Sequence, residues 1–154
     1  DFCRKLLNRV TPKKGGLHNH VAWFLATAEN PAQRAPALAV ELAQKAVEAN
    51  PQSTNHRNTL GVARYYAGDW TQAIADLEAS VALGKGGNSF DMFFLAMAHW
   101  QLGQADEARR LYTHGIQKIG PQPGEDLSRF QLEAEALIKP PSANALQHPG
   151  GEKR

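Results

Sequence analysis

TLGVARYYAGDWTQAIADLEASV, residues 59 to 81, and FLAMAHWQLGQADEARRLYTHGI, residues 94 to 116, are one pattern written twice. Leu60 aligns with Leu95, Gly61 with Ala96, Ala63 with Ala98, Gly68 with Gly103, Ala73 with Ala108, Leu77 with Tyr112 and Val81 with Ile116, every pair 35 residues apart. Each copy is two stretches of helical periodicity split by a glycine-centred turn. A repeat of this period cannot bury its apolar face alone, so neighbouring units must stack.

The local chemistry agrees with that division. Gly68 suits the left-handed residue that closes a helix, and Asp69 caps the next one, with Gln72 three residues on as in a capping box. Small residues at Gly61, Ala73, Ala96 and Ala108 let paired helices approach closely, while Leu60, Leu77, Leu95 and Tyr112 fill the space between.

A weaker copy lies upstream. Ala22, in HNHVAWFLATA, stands 39 residues before Gly61, and the second helix of this unit reads PALAVELAQKAVEANP. Pro36 starts that helix and Pro51 stops it. The longer spacing reflects a turn enlarged by about five residues, ENPAQRAP. Earlier still, DFCRKLLNRVTP has the form of a second helix ending at Pro12, so the sequence opens inside a repeat and is expected to be part of a longer chain.

LGKGGNSF, residues 83 to 90, looks at first like a phosphate-binding loop. A Walker loop needs G-x-x-x-x-G-K-[ST] after a strand, so that backbone N–H groups curl around phosphates. Here Ala79 stands five residues before Gly84, Gly86 follows Lys85, and the preceding stretch is helical in pattern. The segment is instead a turn between repeats, with Asn88 or Ser89 capping the next helix. After GPQPG, the stretch EDLSRFQLEAEALI places Leu127, Phe130, Leu132, Ala134 and Leu137 near helical spacing, as a helix capping the last repeat would.

These units resemble tetratricopeptide repeats, whose 34-residue helix–turn–helix carries small residues, a glycine turn and a closing proline at these places. The resemblance covers residues 1 to 119, and LGVARYYAGDWTQAIADLEASVAL is its most specific part, similar to repeats in large bacterial multidomain proteins, Ser/Thr kinases among them. Arg57 and Met92 depart from the family's Trp, Arg64 and His99 from its Tyr, and Lys85 from its Pro. The resemblance implies an all-α fold, a right-handed superhelical solenoid of helix-turn-helix repeats with a C-terminal capping helix. Its expected parts are the second helix of a truncated repeat (1–14), repeat 1 with the enlarged turn (15–53), repeat 2 (54–88), repeat 3 (89–120), the capping helix (121–138) and a disordered tail (139–154).

Composition narrows the function. With 154 residues, 42% apolar and 21% charged, the chain is one folded domain's worth. A net charge of +2 argues against nucleic acid as partner, and no run approaches the ~20 apolar residues of a membrane span. The single Cys3 excludes an internal disulfide and fits a reducing, cytoplasmic setting. No catalytic elbow, kinase signature or dinucleotide fingerprint is present, so neither enzyme activity nor a cofactor is expected. His18 and His20 point about 200° apart on a helix, which makes them solvated or capping residues and no metal pair. Asp76/Glu78 and Asp106/Glu107 fall on second helices and are expected on solvated faces.

The resemblance implies a concave surface lined by the first helix of each repeat. In the register of Gly61 and Ala96, that surface carries Asn19 and Trp23, then Asn55, Asn58, Val62, Tyr65 and Tyr66, then Phe90, Phe93, Met97 and Trp100. The helix holding Phe90 to Trp100 is apolar on both sides and needs a second cover, supplied either by a partner peptide or by the C-terminal helix. The family's two-carboxylate clamp needs Lys, Arg and Asn where this chain has Trp23, Phe90 and Phe94, so an acidic C-terminal tail is not the expected ligand. A protein–protein interaction module holding a partner's peptide is the expected function. The alternatives are a structural spacer or regulatory segment of a larger protein and, more weakly, an RNA-binding repeat, which the nearly uncharged groove disfavours.

Overall fold

In a computed structural model, the structure describes residues 15–138. Seven α-helices follow one another among the described residues: α1 (Gly15–Thr27), α2 (Pro36–Ala49), α3 (Thr54–Tyr66), α4 (Trp70–Leu83), α5 (Ser89–Gln101), α6 (Ala105–Gln117) and α7 (Glu125–Ile138). The helix expected within residues 1–14 and the tail expected at 139–154 lie outside the described residues.

The chain's caps and turns account for these boundaries. Pro36 occupies the first turn of α2, where its missing N–H costs nothing. Ser53 and Asp69 cap α3 and α4 through their side-chain oxygens, which accept from the backbone N–H of His56 and Gln72 at 3.3 Å each. Asn88 and Asp91 form a reciprocal capping box on α5: the Asp91 N–H donates to Asn88 Oδ1 at 3.0 Å, and the Asn88 N–H to Asp91 Oδ2 at 3.1 Å. Gly68 (φ 82°) and Gly103 (φ 77°) make the tight turns inside their hairpins, a conformation that a Cβ would strain. The stretch LGKGGNSF is the turn between α4 and α5, with positive φ at Lys85, Gly86 and Gly87.

The tightest pairings are α1 with α2, α3 with α4 and α5 with α6. Successive hairpins stack through α2 on α3 and α4 on α5, giving an all-helical solenoid. Gly61 marks the close approach within the middle hairpin, since a Cβ there would come within 2.6 Å of Leu77 Cγ. The main core runs through Val62, Tyr65, Leu77, Phe93, Phe94, Met97 and Phe130, and a smaller cluster joins Ala22, Leu42, Ala43, Val47 and Leu60. Burying side chains of this size is worth roughly 1.5–3 kcal/mol each, which is what holds a stack of short helices together.

Three expectations are corrected here. Asp76 is not on a solvated face: it is 6% exposed and sits between two guanidinium groups of α3, with Arg64 at 2.7 Å and Arg57 at 3.5 Å. His18 is buried in α1, while His20 is exposed and lies 2.6 Å from the Gly16 carbonyl through Nδ1. Leu132 belongs to the solvent side of α7 at 65% exposure, because Phe130, Ala134 and Ile138 form the buried stripe instead.

Candidate functional site

The concave side is built by α1, α3 and α5, and α7 divides it. Arriving after an exposed Gly/Pro connector, α7 rests more on α5 than on its own neighbour α6. Its Phe130 ring is fully buried, 4.9 Å from Phe94, 5.8 Å from Trp23 and 6.0 Å from Phe90, all edge-on contacts. One aromatic side chain of α7 therefore joins rings from the first and third hairpins.

Polar ties fix this placement. Arg129 Nη1 donates to the Thr27 carbonyl at the end of α1 at 2.6 Å, and its guanidinium lies 4.5 Å from the Phe130 ring centre. From the other side, the Tyr66 hydroxyl donates to the Glu133 carboxylate at 2.8 Å. Burial raises the Tyr66 pKa far above its ordinary value, and the neighbouring Glu133 charge raises it further. Tyr65 is raised in the same direction, chiefly by burial. Both phenols are therefore neutral at physiological pH, and the Tyr66 hydroxyl is the donor to Glu133. Arg34, brought in by the enlarged turn before α2, stacks 4.8 Å from the Tyr66 ring centre and closes this end of the groove.

Beyond Trp23 and Phe90 the concave side is open. A pocket of about 290 Å³ is lined by Asn19, His20 and Trp23 of α1, Asn55, Asn58 and Thr59 of α3, and Asn88 and Phe90 at the start of α5. None of these lining residues is Asp, Glu, Lys or Arg. Asn58 is held in place because its amide donates to Asp91 Oδ1 at 2.8 Å, and Asp91 is in turn fixed by the capping box. Trp23 and Phe90 meet edge-on at 5.9 Å and form the wall between the pocket and the α7 seat. The Asn19 Oδ1 atom is buried without a hydrogen-bond partner.

The residues assigned to the concave side from sequence thus fall into two groups. Asn19, Trp23, Asn55, Asn58 and Phe90 come together around the pocket. Val62, Tyr65, Phe93 and Met97 are buried, and Tyr66 is half-buried beside α7. Phe93 is covered by α6, with Tyr112 at 5.8 Å and Gly115 directly against its ring. Trp100 is half-buried, with the Arg109 guanidinium 5.5 Å from its ring centre. Sequence reasoning missed His20, Thr59 and Asn88 as lining residues. His20 and Thr59 each sit one position beyond an assigned asparagine, and the sequence around Asn88 signals only a helix cap.

Comparison with solved structures places this architecture. The crystal structure of a thermophilic TPR protein from Thermus thermophilus superposes with a TM-score of 0.61 over 87% of this chain and 70% of that one, at 20% sequence identity. The helical-hairpin stack is therefore a solenoid of the tetratricopeptide-repeat fold. No protein-family model matches the sequence, and no curated protein does.

Proposed function

We propose that this chain is a protein–protein interaction module that holds an extended peptide of a partner in the open pocket of its concave side. The observation that carries this reading is the pocket's lining: four asparagine amides flanked by the Trp23 and Phe90 rings, with no Asp, Glu, Lys or Arg side chain among them. Amides offer both donors and acceptors, as a peptide backbone requires, and the two rings supply apolar contact at low entropy cost. Helices already packed by α2, α4 and α6 hold these groups in place, so little ordering is needed on binding. Affinity then depends little on salt, because no ion pair carries it.

A peptide library selected against the full chain tests this. Binders should lose affinity by about tenfold or more with Trp23→Ala, as an aromatic anchor does, and keep it across a rise in salt. Binders indifferent to Trp23→Ala and Asn55→Ala would overturn the reading. A second reading is a spacer or regulatory segment of a larger chain, such as a multidomain Ser/Thr kinase, with no ligand of its own. It draws on the outer face of α1, where Leu17 and Phe24 stand 44% and 56% exposed as they would at a stacking surface.

A further inference from the structure

The surface beneath α7 differs in chemistry from the asparagine pocket. It offers a ring-lined cleft between Trp23, Phe90 and Phe94, a backbone carbonyl at Thr27 and a phenol donor at Tyr66. The complementary groups on α7 are Phe130, flanked by Arg129 and Glu133, with Ala134 and Ile138 buried further along the helix and Glu135 accepting from the Tyr112 hydroxyl of α6 at 3.4 Å. Within the connector Ile119 packs against the main core, and the residues after it add nothing to this grip. Residues 120 to 124 are exposed, and a Cβ added at Gly120 or Gly124 would touch nothing within 4 Å.

We propose that α7 fills a helix-binding seat in cis, and that a partner helix presenting Arg-Phe-x-x-Glu displaces it and docks there. This deepens the reading of the chain as an interaction module and rests on it. The seat excludes partners lacking the aromatic residue, because only a ring can close the cleft between Trp23 and Phe94. It also favours a helix carrying Arg before the ring and Glu three residues after it. Through the shared wall of Trp23 and Phe90, release of α7 alters the neighbouring pocket, so the two surfaces are coupled. While α7 is seated, its tether holds it near the groove at an effective concentration on the order of millimolar, and a partner meets the seat only in the fraction of molecules where α7 has lifted.

The test uses the full chain and a fluorescent synthetic peptide of residues 124–138 as the displacing helix. With Phe130→Ala in the full chain, the cis helix grips less and the competent fraction rises, so the wild-type peptide should bind at least about tenfold tighter than to the unaltered chain. A peptide carrying Phe130→Ala should bind neither chain. Circular dichroism confirms that the variant is folded. If it is not, the double variant Arg129→Ala/Glu133→Gln loosens α7 without opening a core cavity and should show the same direction. Equal peptide affinity for altered and unaltered folded chains overturns the proposal and leaves α7 a fixed structural cap. Because the peptide is the chain's own α7, this outcome is independent of whether library peptides bind at the asparagine pocket.

Discussion

Replacing Phe130 by Ala removes the ring on which the division of the concave side depends. Phe130 is 0% exposed and touches three aromatic rings, so the loss combines transfer of a buried phenyl group with the void it leaves. Phe→Ala at such sites costs about 3–5 kcal/mol. Each edge-on ring pair adds ~0.5–1.5 kcal/mol beyond burial, which places this site in the upper part of that range. Urea denaturation followed by tryptophan fluorescence is the suitable assay, because Trp23 lies in direct contact with the lost ring. Leu132→Ala is the control: on the same helix but 65% exposed, it should cost under ~0.5 kcal/mol. A Phe130→Ala loss below about 1 kcal/mol, or one no larger than that of Leu132→Ala, would refute the placement of α7 in the groove.

Other predictions follow from the hairpins themselves. Asp76→Leu alone should cost about 1–3 kcal/mol, less than for a fully buried pair because Arg57 and Arg64 remain 30% and 20% exposed. The triple change Arg57→Met/Arg64→His/Asp76→Leu installs what the next repeat carries as Met92, His99 and Leu111, and should recover most of that loss in the same denaturation assay. Burial holds the Asp76 pKa above its ordinary 3.8 against the opposing pull of Arg64 and Arg57. Its contribution to stability is therefore present below the ordinary value and fades as pH rises through the folded pKa; Asp76→Asn should remove that decline in a Tm series from about pH 3 to 6. Gly61→Ala drives a Cβ to within 2.6 Å of Leu77 and should cost ~1–3 kcal/mol by overpacking, measured by thermal unfolding. Glu133→Gln removes the charge that helps keep Tyr66 protonated, so tyrosinate absorbance should appear at lower pH than in the unaltered chain.

Much of the fold was legible because the 35-residue offset carries its own punctuation. Glycines at positive φ, Asp69 and Asn88 as caps, and Pro36 at a helix start are local signals that tertiary packing did not override. Asp76 was not legible, since an acidic residue on a second helix reads as solvated. Its partners lie on the preceding helix, 19 and 12 residues earlier, at places where the resembled family carries aromatic residues. The compensation is visible only in pairs: Arg57 with Asp76 in one hairpin, Met92 with Leu111 in the next.

The concave side shows a different limit. Helical register assigns Trp23, Phe90 and Phe93 to one side of their helices, yet periodicity carries no information on what faces that side. Phe93 meets Tyr112 and Gly115 of its own hairpin, Phe90 meets both pocket and α7, and Phe94 meets Phe130. Which rings face α7 depends on the path of the connector, whose Gly and Pro residues set no single direction.

The most direct measurement is the set of nuclear Overhauser contacts from the Phe130 ring in the full chain in solution. With α7 across the concave side, Phe130 protons should show contacts to Trp23 of α1 and Phe94 of α5, at ring-centre separations of 5.8 and 4.9 Å. Contacts confined to α6, as a helix merely continuing the stack would give, or none beyond α7 itself, would contradict a groove filled at one end by the chain's own helix.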